Sequence, residues 1–210
     1  MKIPARLAAT AVLTASLAAG VTACGQGSSG GTGTNTAPDV SVHNTTAPAA
    51  PQAKGAAAPL DRSVPTGLRI PSAGVDSAGM LRLGLDRGGE LQVPPVAKAE
   101  EAGWWTGSPT PGEKGAAVLV AHYDTANGPA LLRNIAKVGT GDTIQVPRAD
   151  GSTATFKVRQ IQQVNKKDFP TNKVYAATDR PTLRLITCGG PIVDGHRSDN
   201  IILYADLVHA

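Results

Sequence analysis

The apolar run at residues 182–187 ends at Cys188 and breaks at once into Gly189-Gly190-Pro191. A second apolar run, residues 200–207, follows after a short loop. Two such runs read as neighbouring strands of a buried sheet, with side chains alternating between its faces. A cysteine at the last residue of the first strand can face a cleft while the residues behind it are buried. The glycines after it let the backbone turn and let a substrate approach closely. The same pattern fits a small buried hydrophobe, because free cysteine is among the most buried residue types. The intervening loop, residues 194–199, carries His196 and Arg197.

The rest of the chain reads as short strands between turns. Its 24 Gly and 16 Pro, with only 3% aromatic residues, suit strands and turns better than a helical bundle. Residues 68–70 and 91–93 are short strand candidates, residues 97–103 a helical turn, and residues 108–115 a Pro/Gly loop. Residues 116–123 form an apolar strand ending at His122. Gly128-Pro129 opens a short helix over residues 130–138, with Leu131, Leu132 and Ile135 on one face. Residues 143–146 and 153–164 flank Asp150-Gly151 as a hairpin. Phe156 and Val158 share a face that Ile161 does not, so a bulge belongs between Val158 and Ile161. The total is about seven or eight strands with one or two short helices, which predicts a mainly β fold, a closed barrel or a sandwich.

Residues 1–24 read as an export signal. Lys2 and Arg6 precede an uncharged apolar stretch over residues 7–20, which is short for a bilayer span. It ends in Val21-Thr22-Ala23-Cys24-Gly25, which resembles a bacterial lipobox, in which the cysteine becomes the lipidated first residue. Residues 25–65, rich in Gly, Ser, Thr, Ala and Pro, then form a flexible tether, and residues 66–210 the folded domain. Lipidation or removal of Cys24 leaves Cys188 without a disulfide partner, and a lone thiol outside the cell points to function. The formal charge is +4; removing Lys2 and Arg6 leaves 18 basic against 16 acidic residues, or +2. With no basic run and no basic–aromatic interleaving, nucleic-acid binding has no support. Nothing has zinc-ligand spacing or forms an acidic calcium loop, so neither metal nor cofactor is expected.

A catalytic thiolate needs a neighbouring base or cation. His43 falls in the tether and His209 beside the C-terminus, which leaves His122 and His196. His122 ends an apolar strand that fixes its direction, whereas His196 sits in a loop. Asp124 shares a face with His122 if that strand continues, though an Asp just past a strand is usually a turn residue.

Over residues 65–207 the chain resembles the sortases, specifically the class F sortases of actinobacteria. The likeness runs through Leu68-Arg69-Ile70-Pro71, Leu83-Gly84-Leu85-Asp86, Gly103-Trp104-Trp105 and Pro111-Gly112-Glu113-Lys114-Gly115. It continues through residues 118–124, Gly128-Pro129-Ala130, Phe169-Pro170-Thr171 and residues 183–190, and closes with Asp199-Asn200. The resemblance implies a closed eight-stranded β-barrel and a cysteine transpeptidase. Cys188 matches the nucleophile and His122 the acid/base partner. In the family the thiolate attacks a Thr–Gly bond in a sorting motif of the Leu-Pro-x-Thr-Gly type. An amine, such as one on a peptidoglycan precursor, or water then resolves the acyl-enzyme. An arginine steadies the oxyanion; Arg197 is the only one after Cys188, with Asn200 and Thr187 as further oxyanion or substrate contacts. A lipidated Cys24 would hold such an enzyme on the extracellular face of the membrane. Two other readings of the residues stand beside this one: another cysteine peptidase of the cell wall, and a non-catalytic β-barrel lipoprotein that binds peptide or glycan.

Overall fold

The computed structural model describes residues 40–46 and 57–209. The expected signal, residues 1–24 with Cys24, lies outside the described residues. From the N-terminal side the strands are β1 (Thr45–Thr46), β2 (Leu68–Ile70), β3 (Val75–Ser77), β4 (Met80–Leu83) and β5 (Ala102–Trp105). Then follow β6 (Gly115–Val120), β7 (Asp124–Thr125), β8 (Gly128–Pro129), β9 (Thr143–Pro147) and β10 (Thr153–Asn165). A one-turn helix, α1 (Thr171–Tyr175), precedes β11 (Pro181–Val193) and β12 (His196–His209).

The main sheet has the order β3-β2-β9-β10-β12-β11-β6-β5-β4, with β1 added on β10. Residues from both ends of that order, Leu68 and Ile70 of β2 and Ala102 and Trp104 of β5, share one large apolar cluster. The sheet therefore curls around its core. Its terminal strands β3 and β4 do not pair with each other, so the fold is an open, curled half-barrel and not the closed eight-stranded barrel expected. A ladder pattern decides closure, and nothing in one strand's sequence reports which strand it will meet at the far edge.

The centre of the sheet is buried on both faces, which explains why β6, β11 and β12 read as nearly continuous apolar runs. Ala117, Leu119, Leu183, Leu185, Ile201 and Leu203 face the large cluster. Val118, Val120, Ile186, Ile202 and Tyr204 point the other way into a smaller cluster. Val174 of α1 is fully buried there, with Phe169, Tyr175 and Trp105 packed around it. Trp105 and Tyr175 meet edge to face at 5.5 Å. Each fully buried Leu or Ile stabilises the fold by about 1.5–3 kcal/mol, so this cover over the second face is a substantial part of the stability.

Local expectations meet mixed outcomes. β2 spans the predicted residues, and the hairpin of β9 and β10 turns at Asp150-Gly151. The register shift between Val158 and Gln160 is the bulge that the side-chain parity demanded. Residues 91–93 give only one bridge, Leu91 to Leu85, and Val93 is exposed. The turn expected at 97–103 is a 3-10 turn, Val96–Lys98, ahead of β5. Over 130–138 there is no α-helix: Arg133, Ile135, Lys137 and Val138 donate to carbonyls three residues back, and the regular part is the 3-10 turn Ile135–Lys137. The amides of Ala130, Leu131 and Leu132 go instead to the carbonyls of Tyr123, Ala99 and His122, which tie the start of the segment to other parts of the chain.

The stretch read as a tether is partly folded onto the domain. Val40 bridges to Gly190, and β1 pairs with Gln160 and Ile161 of β10. The Val42 amide donates to Gln163 Oε1 at 2.8 Å. Leu60 and Val64 pack on the large cluster. Finally, residues 196–199 belong to a strand, not a loop. β11 and β12 run on past the core and join at Asp194-Gly195, both with positive φ (51° and 79°), the backbone a tight two-residue hairpin needs.

Candidate active site

β6 and β11 run parallel, and the last pair of their ladder is Val120 with Ile186. The Ala121 amide extends the contact, donating to the Ile186 carbonyl at 3.1 Å. His122 and Cys188 each follow that last pair by two residues, so the two strands deliver both to one end of the sheet. Cys188 is a half-buried free thiol. The two-residue period puts it on the face of Ile186, over the smaller apolar cluster. Asn200 of β12 lies directly across from it.

The His122 ring is fixed by the loop before β5. Its Nε2 stands 2.6 Å from the Pro94 carbonyl oxygen. A carbonyl only accepts, so Nε2 carries the hydrogen and Nδ1 is the basic nitrogen of the neutral ring. The His122 carbonyl in turn accepts the Leu132 amide at 2.9 Å. His196, the other candidate base, is exposed at the far end of the hairpin, opposite Val193.

Arg197 is almost entirely buried, with 5% of its surface exposed. The β11–β12 register shifts between Gly189 and Ile192, so that Arg197 pairs with Ile192. Its Nε and Nη2 both donate to Asp124 Oδ2, at 3.1 and 2.7 Å, and its Nη1 donates to the Gly190 carbonyl at 2.8 Å. The guanidinium also sits 5.1 Å from the centroid of the Tyr123 ring. A charged side chain is thus anchored to the segment after His122 and to the backbone just after Cys188. Asp124 is held by the small β7–β8 hairpin, where it pairs with Pro129.

Not every candidate reaches this site. Thr187 is buried, its Oγ1 has no partner among the described residues, and strand alternation turns it to the face opposite Cys188. The sequence leaves Asp124 open between a neighbour of His122 and a turn residue, and nothing in it points to Pro94. The Arg197–Asp124 pair spans 73 positions, and no local pattern announces it. A carboxylate two residues beyond a candidate base was the one available sign.

The family model described as the sortase domain matches residues 68–208. Among solved structures, a lid mutant of sortase C1 from Streptococcus agalactiae is 17% identical, with a TM-score of 0.52 and 72% of each chain covered. A lid mutant of sortase A from Corynebacterium diphtheriae is 23% identical at a TM-score of 0.52, covering 72% of this chain and 73% of that one. The complex of S. agalactiae sortase C1 with MTSET is 20% identical at 0.53, covering 69% and 67%. At these identities the likeness shows a shared fold. Among curated proteins, none matches the chain.

Breaking the buried ion pair is expected to be costly, because it leaves an uncompensated charge. Asp124→Ala should destabilise the protein by about 3–5 kcal/mol, read as a lowered midpoint in denaturant unfolding. A midpoint within error of wild type would mean that Asp124 does not hold Arg197.

Proposed function

Because the chain belongs to the sortase family of cysteine transpeptidases, we propose that Cys188 is its nucleophile and His122 its general acid and base. The observation that carries this assignment is the parallel β6–β11 ladder, beyond whose last pair, Val120 with Ile186, both residues follow by two positions. Sortases act on sorting-motif proteins and transfer them to amine acceptors. The Cys188 thiolate attacks the carbonyl carbon of the scissile bond, in a motif of the Leu-Pro-x-Thr-Gly type. His122 gives a proton to the departing amine, which leaves a thioester on Sγ. An incoming amine, or water, then loses its proton to His122 as it attacks that thioester and frees the thiolate. With its Nε2–H on Pro94, the ring exchanges this proton through Nδ1.

Arg197 supplies positive charge beside the reacting carbonyl and steadies the chain after Cys188 through Gly190. Asn200, level with Cys188, is the alternative donor. The motifs quoted from the sequence support membership of class F. The lipobox-like end of residues 1–24 supports export, lipidation at Cys24 and residence on the outer face of the membrane.

In a cleavage assay on sorting-motif peptides with an added amine, Cys188→Ala should form no product. His122→Ala should slow turnover by about 10²–10⁴-fold, and His196→Ala should have little effect. Product from the cysteine variant, or the reverse histidine ranking, would refute these roles.

Arg197→Ala and Arg197→Lys should each lower kcat by about 10²–10³-fold, because lysine lacks the planar fork. Near wild-type rates for both, with a large loss for Asn200→Ala, would transfer the role to the asparagine.

The mature protein should begin at an acylated Cys24 by intact mass. A product that starts elsewhere would remove the lipid anchor and leave the enzyme assignment untouched.

A further inference from the structure

Away from Cys188, the second face of the sheet gathers cations around one aromatic ring. Tyr204 of β12 is fully buried and pairs directly with Arg184 of β11. The Arg184 guanidinium lies 5.0 Å from the Tyr204 ring centroid, Lys173 Nζ of α1 lies 4.6 Å from it, and the Arg159 guanidinium of β10 lies 5.6 Å from it. Arg159 is the unpaired residue of the bulge between Val158 and Gln160. Bulges re-aim side chains and are frequent beside functional sites. Here three strands and the helix each turn a basic or aromatic side chain to one spot.

The local charge is not balanced. One carboxylate, Asp206, takes both Arg159 Nε, at 3.2 Å, and Arg180 Nη2, at 3.4 Å, on the same oxygen. Gln162 Oε1 accepts from Lys173 at 3.2 Å and from the Tyr204 hydroxyl at 3.0 Å, but it carries no charge. Arg184 is 3% exposed; its Nη1 donates to the Leu183 carbonyl at 3.1 Å, and its buried Nε has no partner among the described residues. Burial and then the Arg159 charge push the Arg184 guanidinium down to about 10. Burial, Arg159 and Arg184 likewise hold Lys173 below the ordinary lysine range. Among the described residues, four cations against one paired carboxylate leave an excess of three positive charges around this ring. A ring face attracts each cation, but it does nothing about their mutual repulsion.

We propose that Arg159, Lys173 and Arg180, with Arg184 beneath them, form a binding site for a phosphate group. The excess charge selects a phosphate over a single carboxylate, since a phosphate monoester carries up to two negative charges and three acceptor oxygens. Arg159, Lys173 and Arg180 are partly exposed and make the contacts. Arg184 supplies a fixed field from below. The phosphate can arrive free or as a lipid headgroup.

The test compares the full chain with Arg159→Gln/Lys173→Gln and with a control of equal charge loss elsewhere, Arg87→Gln/Lys137→Gln. Arg184 is left in place, because its removal from the core can unfold the protein. One arm titrates inorganic phosphate against chloride at matched ionic strength, following the Arg184 Nε–H resonance. The other sediments the protein with vesicles containing phosphatidic acid, whose headgroup is a phosphate monoester, and with pure phosphatidylcholine vesicles. A saturable phosphate-specific shift, weakened about tenfold or more in the double variant but not in the control, supports a free phosphate ligand. Extra sedimentation with the anionic vesicles, lost only in the double variant, supports a headgroup. Chloride acting as well as phosphate, equal losses in variant and control, or no difference between wild type and double variant in either arm would overturn the proposal.

Discussion

The candidate active site depends on the direction in which β6 and β11 pair. In a parallel ladder both strands finish at the same edge of the sheet, whereas an antiparallel pairing would send their C-terminal ends to opposite edges. With Val120 level with Ile186 as the last pair of the ladder, His122 and Cys188 each lie two residues beyond it. The different sizes of the side chains on the two buried faces fix that register, since a slip by one residue would exchange Ala117 and Leu119 with Val118 and Val120 and misfit both clusters. The positions of the proposed nucleophile and base are therefore set by core packing that begins several residues upstream of them.

Arg197 enters by a different route. The antiparallel β11–β12 hairpin would offer it only the face that strand alternation dictates. The shift between Gly189 and Ile192 changes that. Gly190, at φ 73°, is where the bulged strand bends; an added Cβ there would meet the Asp199 carboxyl carbon at 2.6 Å. The bend exposes the Gly190 carbonyl to Arg197 Nη1, and Asp124 completes the guanidinium's environment. Asp199 is itself committed, to Gln163 at 2.7 Å and to Ser198 at 2.8 Å, and the Gln163 contact foremost holds its carboxyl below the usual range. Since Gln163 also accepts the Val42 amide, the segment before the domain and the hairpin after Cys188 share one polar network.

The legible parts of the fold are those whose cause is local. β2, the β9–β10 hairpin and the bulge after Val158 follow from alternation and turn chemistry within a few residues. So does the half-buried position of Cys188 at the end of its apolar run. The start of β12 was not legible, because His196, Arg197, Ser198 and Asp199 carry no apolar alternation; they are strand because β11 pairs with them beyond the core. The segment at 130–138 has a helical apolar period, yet its first amides are taken by other chain segments. Part of the Gly- and Ala-rich stretch expected as tether lies against the domain because Val40 fills a space beside Gly189. In each miss, a partner distant in sequence outweighed the local preference.

Three buried arginines show how differently one fold can accommodate the same charge. Arg197 has a carboxylate within 2.7 Å, the arrangement that compensates burial best. Arg148 turns to the β9–β10 loop and the chain before β2, donating to Ser152 Oγ and the Asp61 carbonyl, with Asp150 3.5 Å away. Arg184 has no carboxylate partner among the described residues; it has one carbonyl, an aromatic face and other cations. A Leu or Met of similar reach would avoid that cost on a face already lined by Ile186, Ile202 and Val174. Packing alone therefore does not account for a guanidinium there. The bulge that aims Arg159 and the one-turn helix that carries Lys173 concentrate charge at the same ring, so the imbalance is built from four separate elements. Such convergence is what an anion site needs and what a core, left to packing, would avoid.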